Sequence, residues 1–530
     1  MNDFTHRVCA IDPALTCPQP SRRGVLMALA APAVAALACV PGRAAADDAL
    51  AAFDAAARRE PWLRPLKGVS DATGDVHTPT LLQEGRWPDE LRGRFHRNGP
   101  ALFERGGRRY EHWFDGDGMV QQFSITGASG APRIAHRGRL VRTAKLQRER
   151  AAGRFLVGAF GTRIAREAGA PIQGPDAFNT ANTNALEHAG RVLAMWEGGS
   201  AHALDPSDLS TLGPVTWRDD LAQVPFSAHP KLDPHGHLWN IGTFGRRLVV
   251  WHVGPDGKLV DARVTSLPLP GAMVHDMAVT ERHLVVPIPP LILDFAALQR
   301  GVGAAGAFRF DAAQPLRVLV MDKADLARQR IFELPPEMLF HVGNACECAD
   351  GVVELSYVGS PDAGFLTGQA MAMMKGQTAA DDIPSSLRVA RMDLRSGRAT
   401  VERFDDAVEF PRCDPRRVGR PTRWLLSPTG WRRDAPAGFF HALQLRDLHT
   451  GRTQRHDFGP GEVVEEHVVV PRPGREAELD AWLLGTSHDW RRGQTVLNLF
   501  DAAHLDEGPI ARAWLPYALP YGFHGNFTAG

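Results

Sequence analysis

Short apolar segments separated by turn residues recur along most of this sequence, and their spacing constrains the fold more than any other feature. Three such segments follow one another over 238–267, each of a length typical of a β-strand. The segment 387–404 resembles the segment 440–458, and the turn glycines of the two, Gly397 and Gly451, lie 54 residues apart. A strand–turn–strand unit that recurs at this interval is typical of the blades of a β-propeller.

The abundance of turn-forming residues supports the same fold class. The 530 residues include 52 glycines and 40 prolines, which excludes an architecture of long helices. At the observed interval, residues 47–530 would accommodate about seven blades plus inserted loops. A β-sandwich is the alternative, although a single sandwich rarely contains so many strands. We therefore predict an all-β fold, a seven-bladed β-propeller that forms one domain over 47–530.

Three segments do not have the pattern of strands. The alanine-rich segment 47–66 and the segment 143–168 are predicted to be helical, with Lys145, Arg148, Glu149 and Arg150 on the polar side of the second. The segment 287–308 is unusually apolar for a surface loop. It either packs over the core or contacts a membrane surface.

The N-terminus is predicted to be an export signal that is removed from the mature protein. The sequence from Ser21 to Leu26 contains the Arg22-Arg23 pair of a twin-arginine signal, and an apolar run over 25–40 follows it. Ala44-Ala45-Ala46 then offers a cleavage site, so the predicted signal is 1–46 and the predicted location is the periplasm, with possible association with a membrane. A buried N-terminal helix is the alternative, and acylation of Cys39 is a further one.

Charge and cysteine content exclude several classes of protein. The 60 basic and 60 acidic residues balance, which argues against a nucleic-acid partner. Three of the six cysteines fall in the predicted signal, and Cys346, Cys348 and Cys413 remain. Their spacing is not that of a zinc site. An odd number of cysteines does not suit a disulfide framework, although two of the three could still form one disulfide.

Four of the 21 histidines lie in segments suited to metal binding, at steps of about one blade or more. They are His229, His275, His341 and His524. One histidine from each of several blades could meet at a common axis, and imidazole suits iron, zinc and copper. Taken singly, each of these histidines is more simply explained by a structural role.

Several motifs resemble those of the carotenoid cleavage oxygenase family. The segments 93–100 and 111–119 are similar to its N-terminal signature, and all four histidine segments match its metal motifs in order, including Gly522-Phe523-His524-Gly525. The resemblance runs from about residue 70 to the C-terminus. It implies a seven-bladed propeller capped on one face by loops and helices, with one Fe(II) held on the axis by His229, His275, His341 and His524.

The resemblance also implies carboxylates that orient three of the ligands. The matching positions are Glu197, Glu409 and Glu478, although Leu479 and Ala481 depart from the family pattern around the last of them. A carboxylate that accepts the far ring N–H fixes the tautomer of a histidine and makes its ligand nitrogen more basic.

The Asp115-Gly-Asp117-Gly run has two interpretations. It could bind calcium, but the later ligands of an EF-hand loop are missing from the sequence, so a hydrogen-bonded turn is favoured.

The implied reaction is cleavage of a carbon–carbon double bond by O2 into two carbonyl products. The chemistry takes place at the iron, so no acid, base or nucleophile is assigned among the side chains. Carotenoids and apocarotenoids are the favoured substrates. The alternative is a phenolic stilbene, which a related branch of the family grips with a tyrosine and a lysine. Lys145 matches the lysine, and Tyr110 is slightly displaced from the expected tyrosine position.

Two further expectations concern what the chain binds. A polyene dissolves in lipid, so contact with a membrane through 287–308 would give access to it; if the segment is helical, Leu291, Phe295 and Leu298 share one face. A propeller without iron would instead be a carotenoid-binding scaffold, and a double-bond isomerase is a more remote option.

Overall fold

A computed structural model describes residues 43–128, 131–164, 174–299, 303–377, 385–430, 436 and 438–530. The predicted signal therefore lies almost wholly outside the described residues, and its removal stays a prediction. Among the described residues, no helix is long and apolar enough to cross a membrane.

Strands dominate the described residues. The first half of the chain contains β1 Asp75–Thr78, β2 Leu82–Gly85, β3 Gly93–Leu102, β4 Glu104–Arg105, β5 Arg108–Arg109, β6 Asp117–Ala128, β7 Ala131–Leu140, β8 Asn184–His188, β9 Arg191–Met195, β10 His202–Leu204, β11 Thr211–Pro214, β12 Lys231–Leu232, β13 Leu238–Phe244, β14 Arg247–Val253 and β15 Leu259–Ser266. The second half contains β16 Ala278–Val279, β17 His283–Ile288, β18 Leu291–Leu293, β19 Phe308–Phe310, β20 Leu316–Asp322, β21 Gln329–Leu334, β22 Met338–Glu347, β23 Val352–Ser360, β24 Ser386–Asp393, β25 Ala399–Ala407, β26 Trp424–Thr429, β27 Ala442–Asp447, β28 Thr453–Asp457, β29 Glu462–Pro471, β30 Ala481–Asp489, β31 Gln494–Asp501, β32 Ala511–Trp514 and β33 Gly525–Ala529.

Helices are short and few by comparison. The α-helices are α1 Arg43–Arg59, α2 Ala144–Ala152, α3 Phe295–Gln299, α4 Ala304–Ala307 and α5 Ala370–Met374, and a π-helical turn, Phe365–Gln369, precedes α5. Short 3-10 segments cover Pro61–Lys67, Trp113–Asp115, Pro175–Ala177, Asp219–Leu221, Ala349–Gly351, Pro415–Arg417 and Ala502–Glu507.

The strands form seven antiparallel sheets, which confirms the predicted seven-bladed propeller. In ring order the blades are β1-β7-β6-β3-β33, β11-β10-β9-β8, β12-β13-β14-β15, β16-β17-β20-β21, β22-β23-β24-β25, β26-β27-β28 and β2-β32-β31-β30-β29. Both ends of the chain close the ring, because β33 pairs with β3 in blade 1 and β2 pairs with β32 in blade 7. Two small hairpins, β4-β5 and β18-β19, stand apart from the blades.

The apolar core is divided among the contacts between blades. Between blades 3 and 4, for example, Ile241 and Val250 pack against Leu284 and Leu319. The middle strand β14 is buried along most of its length, whereas the outer strand β15 is largely exposed or half-buried. A middle strand is covered on both faces by neighbouring blades, which explains its continuous apolar run.

The internal repeat corresponds to consecutive blades. Gly397 lies at the tip of the β24-β25 hairpin of blade 5, and Gly451 at the tip of the β27-β28 hairpin of blade 6. Their φ angles are 78° and 71°, the left-handed region that favours glycine. Each glycine donates its backbone N–H at 2.8 Å to the carbonyl of an aspartate four residues earlier. The repeated sequence is therefore a repeated turn.

Both predicted helices exist with different bounds. The first is α1, continued by the 3-10 segment Pro61–Lys67, and its Phe53 is buried in a cluster with Trp62, Met373 and Phe439. The second, predicted over 143–168, ends at Ala152, because Gly153 takes a left-handed conformation that terminates the helix. Residues 165–173 lie outside the described part of the chain.

The apolar segment 287–308 is not one helix. It contains the end of β17, then β18, α3 and α4, and it leads into β19. Leu291 belongs to a strand and is fully buried, whereas Phe295 begins α3 and is 57% exposed. The prediction that these two side chains share one helical face is therefore wrong.

Candidate metal centre

Four histidines meet on the propeller axis. His229, His275 and His524 come just before β12, β16 and β33, and His341 lies in β22. These are edge strands of blades 3, 4, 1 and 5. One nitrogen from each imidazole lies within 4.8 Å of the others, and all four residues are buried. The structure thus brings together the whole set predicted as ligands.

The buried ring nitrogens suit a metal better than they suit one another. The Nε2 atoms of His229 and His275 are 2.9 Å apart, and Nε2 of His341 is buried with no hydrogen-bond partner among the described residues. Burial and the neighbouring imidazoles lower the pKa of His229 well below its usual value, and burial lowers the pKa of His524 to about 4. A neutral imidazole is the form that binds a metal.

Three glutamates each lie within hydrogen-bond distance of one of these histidines. Nδ1 of His275 lies 2.6 Å from Oε2 of Glu197, and Nδ1 of His341 lies 2.5 Å from Oε2 of Glu409. Both glutamates come together with their histidines, as the sequence predicts. The third contact, 2.9 Å from Nδ1 of His524, is made by Oε1 of Glu466. These contacts leave the Nε2 atoms facing the axis.

Glu478, the third predicted glutamate, lies elsewhere. Its carboxylate accepts hydrogen bonds from Oγ1 of Thr422 and from the backbone N–H groups of Arg423 and Trp424. The prediction is wrong because Glu478 belongs to the loop between β29 and β30, whereas Glu466 lies inside β29. The sequence does contain a signal for Glu466, since Glu465, Glu466 and His467 separate two apolar runs within one strand.

Arg412 fixes the charge of Glu466. Its guanidinium donates to both carboxylate oxygens at 2.9 Å and to the carbonyl of Gly525. Burial raises the pKa of Glu466, but Arg412 and His524 outweigh burial and lower the pKa to about 2. Three glutamates and one arginine leave two negative charges around the histidines, which a divalent cation would balance. The donor set and the charge both fit a divalent transition metal.

Aromatic side chains pack against three of the four imidazoles. The centroid of the Phe410 ring lies 5.0 Å from the ring centroid of His341 and 5.1 Å from that of His524. Phe340 lies 5.4 Å from the ring of His275, and Phe523 directly precedes His524. Phe523 lies within the Gly522–Gly525 motif, but the sequence gives none of these phenylalanines a role at the centre, because isolated aromatic residues are common in any core.

Lys145, predicted as a weak candidate for substrate contact, is not available to a substrate. It is fully buried, and its Nζ donates to Asp117 at 2.8 Å and to Glu149 at 3.1 Å. The ammonium also lies 4.9 Å above the ring of Tyr110, whose hydroxyl donates to Glu149. The prediction that Lys145 and Glu149 lie on the polar side of the helix is therefore wrong.

The remaining sequence candidates have structural surroundings. Asp115 accepts hydrogen bonds from the backbone of 160–162 and from the Thr162 hydroxyl, and Asp117 is paired with Lys145, which supports the turn interpretation over calcium. Cys346, Cys348 and Cys413 are all free thiols.

Comparison with known proteins agrees with this geometry. The family model described as retinal pigment epithelial membrane protein, RPE65, matches residues 70–529. The apocarotenoid-15,15'-oxygenase of Synechocystis sp. is 29% identical over 471 residues, covering 84% of this chain and 92% of that protein. The lignostilbene-alpha,beta-dioxygenase isozyme III of Sphingomonas paucimobilis is 30% identical over 492 residues, covering 88% and 96%.

Solved structures give the same result. A variant of the Synechocystis apocarotenoid oxygenase has a TM-score of 0.79 at 26% sequence identity, covering 89% of this chain and 99% of that one. The cobalt-substituted form of the same oxygenase has a TM-score of 0.77 at 26% identity over the same shares. Family match, propeller topology and the four-histidine centre agree, and the chain belongs to the carotenoid cleavage oxygenase family.

Proposed function

We propose that this chain is a non-haem Fe(II) dioxygenase that uses O2 to cleave a carbon–carbon double bond of a carotenoid or apocarotenoid into two carbonyl products. The observation that carries this proposal is the buried cluster of His229, His275, His341 and His524 in a member of this family. When bound there, one ferrous ion would supply the chemistry that combines O2 with an electron-rich double bond.

The side chains of the centre orient the ligands and exclude water. Glu197, Glu409 and Glu466 hold the three Nδ1 protons and so keep Nε2 of each imidazole as the metal-binding atom. Phe340 and Phe410 cover the imidazoles with apolar surface. A dry apolar site suits a hydrocarbon substrate and protects reactive species from water.

Packed aromatic side chains extend from the surface to this centre. An open depression of about 480 Å³ is lined in part by Phe308, Phe310 and Ala363. Neighbouring aromatic rings form a series that starts at Phe308. The ring centroids are 6.0 Å apart for Phe308 and Phe160, 5.7 Å for Phe160 and Phe114, and 5.3 Å for Phe114 and Phe523. The series ends beside His524. Rings without polar groups match a polyene better than a phenol.

The stilbene alternative has one observation in its favour, the 30% identity with a lignostilbene dioxygenase. A phenol would need free polar groups, but Tyr110 and Lys145 are already bonded to Glu149 and Asp117. We therefore favour a polyene over a stilbene.

Product analysis tests the proposal. Protein reconstituted with ferrous iron under anaerobic conditions is supplied with air and with β-apocarotenals or a hydroxystilbene, and the aldehydes are identified by mass spectrometry. We expect about one iron per chain and aldehydes from the apocarotenals. Aldehydes from the stilbene alone would overturn the substrate assignment. A bound but uncleaved polyene with no iron would identify a carotenoid-binding scaffold.

The location of the protein is a second part of the proposal. Arg22-Arg23, the apolar run over 25–40 and Ala44-Ala45-Ala46 support export to the periplasm through the twin-arginine route. Replacing both arginines with lysine should retain the full-length chain in the cytoplasm of the producing bacterium, as measured by cell fractionation. Unchanged export would refute the assignment.

Contact with a membrane would give the enzyme access to a lipid-soluble substrate. Phe295 is 57% exposed beside the hairpin β18-β19, close to Gly271. Phe308 and Phe310 of that hairpin line the surface depression. We propose that this face rests on the bilayer surface, where burial of one phenylalanine contributes roughly 1.5–3 kcal/mol. Such an anchor gives reversible attachment.

A further inference from the structure

A buried aspartate next to the metal centre connects three of the four ligand segments. Asp276 follows His275 directly and is 2% exposed. Its Oδ1 accepts hydrogen bonds from Nζ of Lys231 at 2.7 Å and from the backbone N–H of Met277, the next residue in the chain, at 2.6 Å. Its Oδ2 accepts one from the backbone N–H of Val342 at 2.8 Å.

These partners belong to different blades. Lys231 lies two residues after His229, and Val342 lies one residue after His341. One carboxylate thus joins the chain segments of His229, His275 and His341, which come from blades 3, 4 and 5. The two backbone hydrogen bonds, from Met277 and Val342, and the ammonium contact from Lys231 restrict where the imidazoles can lie relative to one another.

The three glutamates described above contact His275, His341 and His524, so His229 is the one predicted ligand that none of them contacts. Its Nδ1 lies 4.0 Å from Oδ2 of Asp276. This distance is too long for a direct hydrogen bond, but it suits a bridging water or a small adjustment of the ring. The negative charge of Asp276 therefore faces the Nδ1 side of His229, as Glu197, Glu409 and Glu466 face the other three imidazoles.

We propose that Asp276, held by Lys231, is a positioning residue that sets the spacing of His229, His275 and His341 for metal binding. The proposal rests on the proposed function only in requiring that a divalent metal binds the four histidines. Lys231 keeps the charge balance of the centre, because its ammonium offsets the additional carboxylate.

Asp276→Asn tests the proposal with little change of volume. An amide has one acceptor oxygen, so one of the two groups of donors around Asp276 would face an NH2 group instead of an acceptor. The matched control is Asp447→Asn in the outer hairpin of blade 6. Asp447 is 1% exposed and, like Asp276, accepts from one cationic side chain, Arg423, and from two backbone N–H groups.

Cobalt is the probe, since a relative in this family has been obtained in a cobalt-substituted form. Metal-free protein is titrated with Co²⁺ while its visible absorption is recorded, and the thermal unfolding midpoint of the metal-free protein is measured in parallel. We expect Asp276→Asn to weaken Co²⁺ binding on the order of 10–100-fold and to alter the cobalt absorption bands. Asp447→Asn should lower the unfolding midpoint and leave both cobalt readouts unchanged.

A purely structural role would give a different result. Wild-type cobalt affinity and bands in Asp276→Asn, with only a lower unfolding midpoint, would overturn the proposal. If this variant does not fold, Lys231→Met takes its place, because it keeps the carboxylate and removes the cation. A weaker affinity and altered bands in that variant support the proposal, and wild-type values overturn it.

The same measurements separate this proposal from the proposed function. Wild-type protein that binds cobalt and iron through the histidines but does not cleave a polyene would refute the assigned reaction and leave the role of Asp276 intact. Wild-type protein that binds no metal would overturn both.

Discussion

Glu466 holds Nδ1 of His524 at 2.9 Å although 58 residues separate the two in sequence. Arg412, from a third segment, donates hydrogen bonds to both oxygens of the Glu466 carboxylate. The orientation of His524 therefore depends on three parts of the chain that only the closed ring brings together.

Replacing Glu466 with Gln should weaken metal binding on the order of 10–100-fold, because the imidazole loses the acceptor that fixes its tautomer. Glu478→Gln is the matched control and should leave metal affinity unchanged, since Glu478 contacts Thr422 and Arg423. Titration of both variants with ferrous iron under anaerobic conditions measures the difference. If Glu478→Gln weakened metal binding more than Glu466→Gln did, Glu478 would be the third orienting glutamate.

His275→Ala should abolish cleavage and most iron binding while the protein stays folded, because one of the four ligand nitrogens is removed. Glu409→Gln should be milder, because His341 remains and only its orientation and basicity weaken. Metal analysis and circular dichroism check both variants. Full activity with stoichiometric iron in His275→Ala would contradict the ligand assignment.

Lys145→Met should destabilise the fold by about 3–5 kcal/mol, because Asp117 and Glu149 stay buried without their cation. Arg148→Met, at an exposed position of the same helix, should change the free energy of unfolding by no more than about 0.5 kcal/mol. Denaturant unfolding measures both. If Lys145→Met instead leaves stability unchanged and raises KM, Lys145 contacts the substrate.

Glu347 should make stability depend on acid pH. Burial raises its pKa, but hydrogen bonds from Thr280, Arg282 and His283 of blade 4 outweigh burial and lower the pKa to about 2. A depressed pKa in the folded state stabilises the protein above the ordinary glutamate pKa of about 4.3. This contribution is lost as the pH falls from there towards about 2.

The unfolding midpoint of Glu347→Gln should accordingly lie below that of the wild type near pH 7, and the gap should shrink as the pH falls below about 4.3. Thermal unfolding at a series of pH values measures the gap. A gap that does not change with pH would show that the glutamate charge contributes nothing.

Phe295→Ser should reduce flotation with liposomes and leave activity in detergent micelles intact, because the exposed ring would be the part that enters the bilayer surface. Leu212→Ser is the control, since Leu212 is 60% exposed on blade 2. Leu291→Ser is unsuitable for this test, because Leu291 is fully buried and its loss would lower stability. Unaltered flotation of Phe295→Ser would refute membrane contact through α3.

The sequence alone determined the features that depend on local pattern. Turn glycines such as Gly397 and Gly451 require a left-handed backbone, and apolar runs between such turns predict strands, so the propeller follows from residues close together in the chain. The sequence also predicts the four histidines that lie together and two of the three glutamates that contact them, because each lies in a recognisable motif of the family.

Tertiary structure decided which charged groups meet. Glu466 and Glu478 lie only 12 residues apart, and local sequence gives no distance from either to His524. The same holds for Asp276, which joins Lys231 of blade 3 to Val342 of blade 5, and for Lys145, which pairs with an aspartate 28 residues away. Such contacts depend on how the strands close into a ring. Burial then makes each unpaired charge costly, so only the folded chain selects the partners.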